Sequence, residues 1–82
     1  MIKLRIESAL ARHNDAAPKE LRISKQELAK RVIRDEGLKL TTKRSMLSRW
    51  IKGSEHGLTP TVIYDISRET GVSLNFLFGL EP

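Results

Sequence analysis

Helix starts and stops recur along this chain so closely that they leave little of it to form a sheet. Ser24 and Glu27 have the spacing of a capping box, in which each side chain satisfies a backbone donor of the opening turn, with Ile23 and Leu28 at the flanking hydrophobic-staple positions. Thr59 before Pro60 pairs a cap with a residue suited to the first helical position, and Gly71 supplies a stop. Ser73 then caps a short helix through Phe78, ended by Gly79. Ahead of these, Ile2, Ile6, Ala9, Leu10 and His13 recur at helical spacing, so a first helix is expected over residues 2–13, ending where Asn14, Asp15 and Pro18 discourage continuation. The second helix buries Leu28, Ala29, Val32 and Ile33, with Gly37 as a left-handed stop that folds Leu38 back onto Ile33. A third begins at Thr42 as N-cap and stops at Gly53, and the fourth turns Ile63 and Ile66 inward. No segment reads as a strand, so the expected fold class is all-α, a compact domain of five helices.

Eighty-two residues fit one domain over residues 1–82, with a core too modest to enclose a site for a large substrate. Function is therefore expected at the surface. With no cysteine there is neither a disulfide framework nor a thiolate metal site, and a cytoplasmic location is expected. The opening residues mix charges with apolar side chains, and nowhere do about twenty apolar residues run together, so neither a signal peptide nor a membrane partner is expected.

Charge is distributed unevenly. Residues 37–54 carry Lys39, Lys43, Arg44, Arg49 and Lys52 and no acid, while the remainder balances ten basic against ten acidic residues, so the entire formal excess of +5 lies in one stretch. At roughly 100° per residue, Leu47, Trp50 and Ile51 share one arc of the third helix. Ser45, Ser48, Arg49 and Lys52 share the opposite arc, with Arg44 at its border. Such a helix docks against a polyanion, and nucleic acid is the leading candidate. A helix fits the major groove, its N-terminus attracts phosphate, and outward side chains reach base edges. Arg44 and Arg49 have the reach to pair bidentately with guanine, and Ser45 and Ser48 are short enough for close approach.

Three segments, ISKQELAKRV, SMLSRWIKG and LTPTVIYDISRETGVSLNFLFGL, resemble in collinear order the Cro/C1-type (XRE) helix-turn-helix family of phage repressors and related bacterial regulators, over residues 23–80. The resemblance implies a lambda-repressor-like five-helix DNA-binding fold. It implies a transcriptional regulator, most simply a phage or prophage repressor, that binds a palindromic operator on double-stranded DNA as a homodimer, with no cofactor and no small-molecule substrate. It places Arg44, Ser45, Ser48 and Arg49 against bases and Lys25 and Gln26 against phosphate. Thr42, Lys43, Lys52 and His56 complete the expected contacts to the DNA backbone. The chain also departs from the family. About four residues usually join the second and third helices, whereas Arg34 to Thr41 requires either a longer second helix or an enlarged turn, and the connection from Asn14 to Ile23 is enlarged as well. Lys43 stands where the family often has a small capping residue.

Other residues admit plainer roles. Trp50 shares an arc with Leu47 in a chain of four aromatics and is expected in the core, not on a base. Ile51, at the border of that arc, is expected to cover Leu38 or Leu40. Phe76, Leu77, Phe78 and Leu80 put four large apolar side chains at one end, more than a short helix readily turns inward, so Phe78 and Leu80 are the expected dimer contact. His13 and His56 lack the paired spacing of a metal site, and nothing assembles a nucleophile with a base, so no enzymatic activity is expected. The alternative is a protein-interaction module, an antitoxin or adaptor on the same scaffold.

Overall fold

In a computed structural model, residues 3–81 are described. They form α1 (Ile6–Ala16), a 3-10 turn (Lys19–Leu21), α2 (Lys25–Val32), α3 (Leu40–Ile51), α4 (Pro60–Thr70) and α5 (Leu74–Leu77), with no strand among the described residues. The local signals explain most boundaries. Ser24 Oγ accepts from the Glu27 backbone N–H at 3.1 Å, Thr59 Oγ1 from that of Val62 at 3.3 Å, and Ser73 Oγ from that of Phe76 at 3.0 Å. Gly71 ends α4 at φ 72°, a left-handed conformation in which a side chain would be strained. The Glu27 carboxylate turns instead to Arg31, so only one half of the capping box is closed.

The helices converge on one core. α2 packs on α3 and α4, and α1 lies against α3, α4 and α5. Ile6, Leu28, Leu47, Trp50, Ile66 and Leu77 are fully buried at the centre. A radius of gyration of 12.0 Å matches the ~12 Å expected for a folded chain of this length. Trp50 packs inward, as its arc requires, and its indole N–H donates to the His56 carbonyl at 2.8 Å, which fixes the loop after α3 onto the helix.

Three boundaries differ from expectation. α1 runs from Ile6 to Ala16, not over residues 2–13. Asn14 does not stop it. Its side chain instead accepts from the Ile23 N–H at 2.9 Å and donates to the Ile23 carbonyl at 2.8 Å, clamping the enlarged α1–α2 connection from within the last turn. The expected start at Ile2 lies outside the described residues, and ahead of α1 the chain is pinned by the Arg5 N–H to the Leu77 carbonyl at 2.9 Å, with Leu4 buried.

Gly37 is not a left-handed helix stop. α2 ends at Val32, and Ile33 already has extended backbone with its side chain buried. Positive φ occurs only at Gly53, Gly57, Gly71 and Gly79 among the described residues. Gly37 lies inside a turn in which its N–H donates to Asp35 Oδ1 at 2.9 Å, while Leu38 packs against the core. The connection is therefore an enlarged turn over residues 33–39.

Thr42 is not the cap of α3. The cap position falls three residues earlier, at Lys39, which contributes no side-chain hydrogen bond. The Lys43 N–H already donates to the Lys39 carbonyl at 3.1 Å, so Thr41 and Thr42 stand inside the opening turn.

Candidate nucleic-acid interface

Leu47 and Trp50 anchor α3 in the core and thereby fix which way its opposite side points. On that side Thr41, Arg44, Ser45, Ser48, Arg49 and Lys52 line one open recess of about 450 Å³. All are exposed except the half-buried Ser48. The four candidate base-reading residues are thus brought together, joined by Lys52 and by Thr41, which sequence reasoning missed. The signal for Thr41 was its position three residues before Arg44 and four before Ser45, hidden by placing the helix start at Thr42.

The electrostatics of this face follow from its lack of acids. Among the described residues, ion pairs join Lys25 to Glu7, Arg31 to Glu27 and Glu69, and Arg34 and Arg68 to Asp65. None involves Lys39, Lys43, Arg44, Arg49 or Lys52. With Lys39 giving no side-chain cap, the opening backbone donors of α3 add their partial positive charge to the same end.

The expected backbone contacts are less uniform. Thr42 is exposed and Lys43 half-buried in the first turn of α3, and Gln26 is exposed in that of α2. Lys25 is not a free cation. Its Nζ lies 2.8 Å from Glu7 of α1, and the hydrogen bond and then the charge of Lys25 hold the Glu7 carboxyl below its ordinary value. His56 is exposed in the loop after α3, where its N–H donates to Ser54 Oγ at 3.3 Å and its carbonyl is taken by Trp50.

At the opposite end of the chain Phe76 and Leu77 are buried, and the guanidinium of Arg12 lies 5.0 Å from the Phe76 ring centroid. The two expected dimer residues separate: Phe78 is half-buried against the core, whereas Leu80 is 74% exposed. Ile51 is half-buried and borders a shallow recess with Lys3 and Leu4 from the segment that leads into α1 and with Ser8 of its first turn.

Among the described residues no helix is long and apolar enough to cross a membrane, and no cluster of three or more His, Asp or Glu side chains is placed to hold a metal ion. Comparison with protein-family models, with curated proteins and with solved structures gives no match to this chain.

Proposed function

We propose that this chain binds double-stranded DNA sequence-selectively through the outward face of α3 and acts as a transcriptional regulator of the Cro-like helix-turn-helix kind, as a homodimer on a two-fold operator. The observation that carries the reading is a stripe of long cationic and short hydroxyl side chains on a helix whose other side is locked in the core, with no ion pair to any of its cations among the described residues. Such a helix enters the major groove as a rigid unit. Arg44 and Arg49 donate two hydrogen bonds each to guanine O6 and N7, and Ser45 and Ser48 allow the backbone to approach base edges. Lys39, Lys43 and the uncapped start of α3 serve phosphates.

One helix touches too few base pairs for useful genomic selectivity, so two copies act together, with exposed Leu80 as the centre of their contact. Selection of binding sites from a random duplex library tests the reading. A short, two-fold symmetric site containing guanines is expected. Recovery of no preferred site, with weak binding to any duplex, turns the assignment towards a protein-interaction module.

A further inference from the structure

The start of α3 at Leu40 places about one turn of helix ahead of Arg44, the first of the expected base contacts. Thr41 stands on this turn. It lies three residues before Arg44 and four before Ser45, hence on the same face and about 4.5 Å nearer the N-terminus along the axis than Arg44. It lines the same recess and is exposed. That displacement exceeds the ~3.4 Å rise of one base pair, so a helix seated with Arg44 over one base brings Thr41 over another.

The chemistry of the recess narrows what Thr41 reads. Arg44, Arg49 and Lys52 offer only donors, and Ser45 and Ser48 offer hydroxyls that accept or donate. Thr41 alone among the lining residues presents a methyl group. In the major groove thymine is the base that displays a methyl of its own, at C5. We propose that Thr41 is a specificity-determining residue that selects thymine, by methyl-to-methyl contact, at a position of the half-site outside the guanines read by Arg44 and Arg49. This inference rests on the DNA-binding reading above.

Deoxyuridine differs from thymidine at the base only by lacking the C5 methyl, and it therefore isolates the contact. Starting from a selected operator, each thymine outside the guanine contacts is replaced singly by deoxyuridine, and binding is measured for the wild type, Thr41→Ser and Thr41→Val. One replacement is expected to weaken the wild type about fourfold, the value of burying a single methyl group. Thr41→Ser keeps the hydroxyl and should lose that discrimination, while Thr41→Val keeps a methyl and should retain it. Circular dichroism checks that both variants keep the helical fold. If the wild type prefers guanine-containing sites but no deoxyuridine replacement matters, or if Thr41→Ser discriminates as the wild type does, Thr41 is not a reader and the wider reading stands. If the wild type prefers no sequence at all, the wider reading falls and this one with it.

Discussion

Along the seam between α2 and α4, Arg31 reaches Glu69 at 3.7 Å, and Arg34 and Arg68 share one oxygen of Asp65 at 3.0 and 2.5 Å. Across the outward face of α3, equally long cationic side chains meet no acid among the described residues. Composition already separates them, since residues 37–54 hold five cations and no acid whereas Asp65 and Glu69 lie in α4 itself. The fold completes the separation by bringing those two carboxylates to Arg31, Arg34 and Arg68. On the seam the charges hold two helices together; on α3 they remain available to something outside the molecule. A similar contrast marks the apolar residues, since Leu77 is fully buried while Leu80, three positions later, is 74% exposed.

If the exposed set is what partners use, its removal should affect binding and leave folding alone. The largest effect is expected at Leu80. Leu80→Glu should abolish cooperative occupation of a two-half-site operator, a loss of about 100-fold or more, while single half-sites still bind weakly. Gel-shift stoichiometry reads this, and a variant that still fills both half-sites cooperatively would remove Leu80 from the contact. Phe78→Glu is the poorer probe, because half of that side chain packs on the core and a charge there would strain the fold.

Arg49→Ala comes next, with about 1–3 kcal/mol lost on the preferred site, relaxed preference at one base pair and a stability change within about 0.5 kcal/mol. Equal losses on preferred and random DNA would move Arg49 to the backbone.

The seam should show the reverse. Asp65 is buried with its second oxygen unpartnered among the described residues, and Asp65→Ala removes the anchor of both arginines. Because the two arginine side chains are each 63% exposed and hydrate readily, the expected loss of stability is about 1–2 kcal/mol, below that of a fully buried pair. Binding by the fraction that remains folded should be unchanged. Urea denaturation followed by titration at fixed folded concentration separates these outcomes.

Lys25 lies between the two classes, since Glu7 occupies it at present and a phosphate could replace that carboxylate. Lys25→Ala should weaken all sequences alike and lower the magnitude of the salt slope by roughly one unit. Glu7→Gln should strengthen binding to all sequences at neutral pH. The depressed Glu7 pKa means that the pair's contribution to folding is present above the ordinary carboxylate value and lost as pH falls through the depressed one. Protonation also frees Lys25, so the advantage of Glu7→Gln over the wild type should disappear in that same acidic range. An advantage that persists there would show that Glu7 does not restrain Lys25.

Much of this was legible in the sequence wherever the controlling interaction is local. Ser24, Thr59 and Ser73 bond to the N–H three residues on, and Gly71 needs only its own left-handed backbone. The two faces of α3 followed from helical geometry, which put Trp50 inside and drew Arg44, Ser45, Ser48 and Arg49 together. The misjudged features depend on residues distant in sequence or on a missing local signal. Asn14 resembles a helix breaker in sequence because its partner, Ile23, lies nine residues away. The Lys25–Glu7 and Arg34–Asp65 pairs span 18 and 31 positions. The start of α3 carries no local signal, because its cap position holds Lys39, which has no capping acceptor, while Thr42 nearby resembles a cap.

The central claim, that α3 keeps its cations for a polyanion, is tested most directly by the salt dependence of binding to duplex DNA. Wild type should be compared with a triple variant of the α3 cations assigned to phosphates, Lys39→Gln, Lys43→Gln and Lys52→Gln. Each phosphate neutralised adds about 0.9 to the slope of log K against log salt, so the wild type should show a slope of magnitude roughly 3 or more. The triple variant should bind far more weakly with a clearly shallower slope and an unchanged melting temperature. A shallow wild-type slope, or a triple variant that binds as the wild type does, would contradict the account.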